Sequence, residues 1–336
     1  MKYAFAALPS AVLTRSTLLT LLTLAGTAFI PNDAHAQTWP ARPVRLVVTQ
    51  SAGGSIDIAA RTIGQKLGET LGQQFLVDNR AGANGMIGAE LAAKATPDGY
   101  TCLMTSPSAL TINQHLYQRV PYDTARDFMP VTQTTSIAFL MVVNSASPYK
   151  SAQEVVSAAR AKPEGIRYGS AGPGNQSHLA PEMLAQAAGV KFLHVPYKGE
   201  APALTDLLAG QIDMIIGTMP ALLPQVRSGK LRALAVCQPQ RSAALPDTPT
   251  MSEAGFAQVN VTGWTAIVAP TGTAPETVRR LRDEVARVLA QAEVRDFLAK
   301  QGAEPVGSTP EQFGAFIRSE TIKWGTAVKA AGLKPE

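Results

Sequence analysis

From residue 44 onward, short runs of β-branched and aliphatic residues alternate with segments of helical periodicity. Val44 to Thr49 reads as a first strand. After Gly53-Gly54, apolar positions Ile56, Ala59, Ala60, Ile63 and Leu67 recur at helical spacing and predict a helix over 56–71. Phe75 to Asp78 predicts a second strand, Met86 to Ala95 a helix after a glycine-rich loop, and Tyr100 to Thr105 a third strand. Pro97-Asp98-Gly99 between them is a turn, because proline fixes φ and glycine accepts positive φ. Further along, strands are predicted at 166–170, 192–195, 212–216 and 231–236, and helices at 151–161, 178–188 and 201–209. The C-terminal third reads as helices over 276–290, 293–301 and 310–330. Such alternation predicts an α/β protein with a largely parallel sheet.

Two longer extended stretches, 131–143 and 259–269, stand apart from this rhythm. The chain exceeds the usual size of one domain and has no low-complexity linker, so two lobes joined by ordered crossings are expected. With these stretches as the crossings, lobe I is discontinuous (37–136 and 263–336) and lobe II is 137–262. Two extended crossings form a hinge that closes about a cleft.

The N-terminus changes what counts as fold. Lys2 and Arg15 precede or flank an apolar stretch, Leu18 to Ile30, followed by Ala34-His35-Ala36. That is the layout of a secretory signal peptide over 1–36, cleaved after Ala36; the apolar stretch falls short of the roughly 20 residues a spanning helix needs. Cleavage leaves 300 residues with a formal charge of +4 instead of +5. The remaining charges are scattered, without the basic block that nucleic acid requires. Cys102 and Cys237 sit in strand-like apolar runs and are expected as separate buried thiols. No Cys/His cluster has metal-ligand spacing, so neither a metal nor a cofactor is expected.

Two glycine-rich loops carry the candidate chemistry. One, Gln50-Ser51-Ala52-Gly53-Gly54-Ser55-Ile56-Asp57, joins the first strand to its helix. The other, Gly169-Ser170-Ala171-Gly172-Pro173-Gly174-Asn175-Gln176-Ser177-His178, does the same in the second lobe. Glycine allows close backbone approach, and the unsatisfied N–H groups of a helix's first turn suit a carboxylate. Each loop alone also fits plain capping by Ser55 or Ser177. Neither has the lysine of a phosphate-binding loop, and 169–174 is not a dinucleotide fingerprint. Ser106 follows the third strand and offers a hydroxyl; Asp57 either binds or pairs with Arg61 four residues on. Tyr197 lies in a turn that holds further ligand groups. There is no G-x-S-x-G elbow, and adjacent Ser177 and His178 diverge on a helix, so catalysis is not expected.

The chain resembles the Bug-type (TctC-like) periplasmic receptors of tripartite tricarboxylate transporters. The resemblance rests on Trp39 to Val48, Ala52 to Arg61, Asp78 to Gly88, Pro97 to Tyr100, Tyr168 to Gly174, His194 to Gly199, Ala201 to Gly210 and Gly229 to Val236, in order. It implies a two-lobed periplasmic binding protein fold (type II-like) with two crossing strands. It also implies a periplasmic receptor that hands a small carboxylate to membrane permease subunits; a monomer is expected. It implies that the first-strand loop and the second-lobe glycine loop hold the ligand; with the residue readings above, the candidates in lobe I are Gln50, Ser51, Gly53, Gly54, Ser55, Asp57 and Ser106. In lobe II the candidates are Ser170, Ala171, Gly172, Asn175, Gln176, Ser177, Tyr197, Gly217 and Thr218. Two positions depart from the family pattern. Gln50-Ser51 stands where an aromatic residue commonly precedes Ala-Gly-Gly, and Gly217 where many members have an aspartate. Loss of that carboxylate argues for an amine-free acid, a dicarboxylate or an aromatic acid. The same scaffold also serves a sensor that reports to a membrane signalling partner, and an enzyme acting on a carboxylate is the third reading.

Overall fold

The computed structural model describes Met1, residues 39–197, residues 199–333 and Pro335. Apart from Met1, the expected signal segment lies outside the described residues. All elements below belong to one compact unit, Pro40–Glu336.

In chain order the first half comprises β1 (Val44–Val48), α1 (Ser55–Leu71), β2 (Phe75–Asn79), α2 (Met86–Ala93) and β3 (Thr101–Thr105). After β3 a wide helical turn, Ser108–Ile112, runs into a short α3 (Asn113–Leu116). After α4 (Thr124–Asp127) comes β4 (Phe128–Asn144), a 17-residue strand that extends the predicted stretch at both ends. The second half comprises α5 (Ala152–Ala161), β5 (Arg167–Ser170), α6 (Gln176–Ala188), β6 (Leu193–Pro196), α7 (Glu200–Leu208) and β7 (Met214–Thr218). It continues with α8 (Met219–Arg227), which the periodicity did not predict because Pro220 and Pro224 interrupt it, and β8 (Leu231–Val236). The chain then returns through β9 (Thr262–Pro270) to α9 (Pro275–Ala290), α10 (Ala292–Lys300), β10 (Ala303–Pro305) and α11 (Pro310–Ala330).

The strands form a ten-stranded sheet with the path β2-β1-β3-β9-β4-β7-β5-β6, and β10 and β8 also pair with β4. Pairing is parallel in β2-β1-β3 and in β7-β5-β6. Every antiparallel pairing among the described strands involves β4 or β9. The parallel βαβ units are therefore local to each half, and the two long strands knit the halves together. β4 pairs with β9 from Phe128 to Ala138 and with β7 and β8 from Phe139 onward. A single strand is thus shared by both halves, with the change of partner at Ala138/Phe139.

Burial follows from this layout. Val47, Leu103, Ala266, Val268 and Phe313 form a core on the first half's sheet. In the second half, Tyr168, Leu179, Met214 and Ile216 pack on one face of the sheet; Leu140, Val142, Leu207 and Leu222 pack on the other. Apolar residues on alternate positions of β4 serve both faces, as a strand's twofold side-chain period requires. α11 ties the halves: its Glu320, buried, accepts hydrogen bonds at Oε2 from the indoles of Trp264 (3.1 Å) and Trp324 (2.9 Å). Cys102 and Cys237 are buried and unpaired with each other. Among the described residues no helix is long and apolar enough to cross a membrane.

Candidate ligand-binding site

At the C-terminal ends of β1, β3, β5 and β7 lies a cavity of about 700 Å³. Open α/β sheets place ligands at this end of their strands, and the volume suits a small organic molecule. Both glycine loops reach it. Gln50, Ser51 and Ser55 line it from the first; Ala171, Gly172, Asn175, Gln176 and Ser177 line it from the second. Ser106 and Thr218 complete the predicted residues that the fold brings together there.

The other predicted residues lie behind the wall. Asp57 is a structural anchor: its carboxylate accepts from Gly53 N–H (2.8 Å), Arg61 Nε (3.0 Å) and Asn79 Nδ2 (2.9 Å). Burial alone would raise its pKa, but these bonds outweigh it and hold the carboxyl below its usual range. The pairing with Arg61 four residues on, one of the two readings of Asp57, is thus the one the fold uses. Gly53 and Gly54 turn the chain without lining the cavity, and Ser170 Oγ is committed to His194 Nε2 at 2.7 Å. Tyr197 is turned away, its hydroxyl donating to Asp206 Oδ2 at 2.6 Å.

The first-turn amides are partly occupied, so the loops' own side chains share the expected grip. Ile56 N–H donates to Gln50 Oε1 (2.9 Å), so the unusual Gln50 caps its own helix. In the second loop Asn175 Oδ1 caps α6 by accepting from Ser177 and His178 N–H. Ser177 Oγ accepts from Ala171 N–H at 2.8 Å, and Gly174 N–H donates to His178 Nδ1 at 2.9 Å. Gly172 has φ +135°, a backbone that L side chains rarely adopt. Beside those amides the cavity offers a ligand hydroxyls and carboxamides, from Ser51, Ser55, Ser106, Ser108, Asn84 and Asn175.

Several lining residues escaped the sequence reading. Ala81 to Gly85 folds into the cavity with Ala83 and Asn84 at positive φ. Asn84 Nδ2 reaches Pro173 O (3.4 Å), linking the first half to the second loop. The Gly/Asn content of 82–85 was the available signal. Tyr117, Phe139, Trp264 and Thr265 had none, since they enter from the turn after α3 and from the shared strands.

Glu200 also lines the cavity and bears on Gly217. Its Oε1 accepts from Thr218 N–H (2.6 Å) and its Oε2 lies 2.7 Å from Thr218 Oγ1. A Cβ at residue 217 would collide with Glu200 Oε1. The premise that this end of the cleft lacks a carboxyl is therefore corrected: the glycine makes room for one from α7. Burial pushes the Glu200 pKa up, against the lowering effect of the two Thr218 contacts.

A cavity at the strand ends between two halves that share their central strands defines a two-lobed solute-binding receptor. Residues 59–333 match the model of the tripartite tricarboxylate transporter family receptor, TctC, and the chain belongs to that family. It is 37% identical to Protein BugT of Bordetella pertussis over 309 residues, 92% of this chain and 95% of that protein. Among solved structures it is similar to R. palustris Rpa4515 with adipate (36% identity, TM-score 0.84, covering 89% of this chain and 100% of that one). It is also similar to MatC (Rpa3494) from Rhodopseudomonas palustris with bound malate (31% identity, TM-score 0.78, 86% and 100%).

Proposed function

We propose that this chain is a periplasmic receptor, exported by a cleaved signal peptide over 1–36, that captures a dicarboxylate and delivers it as a monomer to the permease of a tripartite tricarboxylate-type transporter. The observation that carries this reading is the cavity of about 700 Å³ into which the glycine loops of both halves project. In this reading lobe I is 37–136 with 263–336, lobe II is 137–262, and closure pivots where β4 changes partner. Adipate and malate, bound by two similar structures, are both dicarboxylates without an amine and support the ligand class. The lining hydroxyls supply donors to a carboxylate, directly or through ordered water. Binding without turnover is the proposed role; neither His178 nor His194 lines the cavity.

Thermal-shift screening of organic acids with the 37–336 chain tests the reading. A dicarboxylate at 100 times its dissociation constant adds about 2.7 kcal/mol of stability. Stabilisation by amino acids and by no dicarboxylate would refute it.

A further inference from the structure

Glu200 sets a condition on any dicarboxylate that enters. Among the described residues lining the cavity there is no lysine or arginine, and Glu200 and Tyr117 are the ionisable ones. Among the described residues, the elements packed around Glu200 bring no counter-charge. β4 and β7 carry no ionisable side chain. On β5, Arg167 pairs with Asp213 (3.0 Å) and Tyr168 OH is bonded to Glu182. Asp206 on α7 takes the hydroxyl of Tyr197, and Arg227 ends α8 at the opposite terminus from Thr218. The Glu200 carboxyl itself is fixed, both oxygens on Thr218 and the Gly217 backbone against it.

A ligand with a carboxylate at each end, gripped at one end by the glycine loops, presents the other within a walled cavity that contains a carboxyl and no described cation. Two carboxylates in such a place do not both stay ionised; one takes up a proton and the pair becomes an acid–carboxylate hydrogen bond. Resting on the dicarboxylate reading, we propose that the cleft captures its ligand together with one proton from solvent, held on Glu200, whose O–H donates to the ligand's second carboxylate. No bond but O–H forms, and the proton returns to solvent on release. The upward push of burial on Glu200 acts in the same direction. Glu200 is thus a specificity residue: it accepts a second carboxylate only as its hydrogen-bonded partner, and couples affinity to pH.

The test is calorimetric titration of the 37–336 chain with adipate between about pH 6.5 and 8.5, above the carboxyl range in which the free diacid titrates. Two buffers of different ionisation enthalpy report the protons taken up. The wild type is expected to lose affinity by up to about tenfold per pH unit and to take up close to one proton. Glu200→Gln, a permanently neutral donor, and Glu200→Ala are both expected to abolish the slope and the uptake. A flat wild-type profile, or a slope that survives in both variants, overturns the proposal while leaving the dicarboxylate reading intact. Binding of 6-aminohexanoate more tightly than adipate, without pH dependence, also overturns it, because it makes Glu200 an ionised partner for ammonium. If neither adipate nor malate binds at any pH, the dicarboxylate reading fails and takes this inference with it.

Discussion

The imidazoles of His178 and His194 lie face to face, centroids 3.9 Å apart and planes within 10° of parallel. Tyr168 stacks on His194 at 4.9 Å and continues the column beneath the second glycine loop. Each ring holds part of that loop: His178 Nδ1 takes the Gly174 N–H, and His194 Nε2 bonds Ser170 Oγ. Two stacked imidazoles cannot both be charged, and burial disfavours a charge on either, so the loop rests on a neutral pair.

Burial, reinforced for His178 by the neighbouring ring, pushes both pKa values down to about 4. The unfolded chain binds protons on these rings below about pH 6.5. Their contribution to stability is therefore complete above that pH and is lost as pH falls toward 4. Melting temperature is expected to drop between pH 6.5 and 5, above the carboxylate range, and to drop less steeply in the His178→Gln, His194→Gln double variant. Equal slopes would show that the pair does not titrate in this window.

Gly172→Val is expected to remove adipate-induced stabilisation while the far-ultraviolet circular dichroism stays native. At φ +135° a β-branched residue is strained by about 1–3 kcal/mol, and its side chain stands on the cavity wall. An unchanged thermal shift would place the ligand away from the second loop.

Gly217→Ala tests the coupling with Glu200. Its methyl displaces the Glu200 carboxyl from Thr218, so the ligand affinity of Gly217→Ala should match that of Glu200→Ala. The double variant should show little further effect, and additive losses would mean that the two positions act independently.

Glu320→Ala strands two buried indole N–H groups, on Trp264 and Trp324. Leaving buried donors unsatisfied costs about 1–3 kcal/mol apiece, so a loss of about 2–6 kcal/mol is expected in urea unfolding. A loss below about 1 kcal/mol would mean that water replaces the carboxylate.

Cys102 and Cys237 should be silent to a thiol reagent in the native state and react on unfolding. Both are buried, and burial raises Cys102 to about 12 and Cys237 further. The thiolate is the reactive form, so rapid labelling of the native protein would show that one strand opens readily.

The fold was legible because each element carried its own signal. The Ile56–Leu67 stripe fixed α1, β8 emerged with the predicted bounds Leu231–Val236, and α11 spans the predicted 310–330. The extended, β-branched-rich stretches near 131–143 and 259–269 marked the two strands that run between the halves. What periodicity missed was short or broken: β10 has three residues, and α8 carries two prolines. Ten of the candidate site residues line the cavity, because both loops follow strands at the sheet's C-terminal edge. The rest depended on where side chains turn. Gln50 and Asp57 share one loop, yet one faces the cavity and the other the wall, and sequence spacing does not distinguish them. Glu200 was hidden for a related reason: its contact with Gly217 and Thr218 crosses from the start of α7 to the end of β7.

The pairing of β4 with β9 also dictates an order of assembly. Ala138 meets Thr262 and Phe128 meets Pro270, and β3 needs β9 as its neighbour, with Leu103 against Val268. Nothing in the first half can finish its sheet until residues 262–270 have arrived. The second half, whose strands other than β4 all lie between 167 and 236, can assemble before that. Such long-range closure makes folding slow. A nascent chain truncated before β9 should therefore carry a paired second-half sheet whose core still lacks Trp324, Ala327 and Val328 of α11, and an open, unzipped edge on β3 and β4.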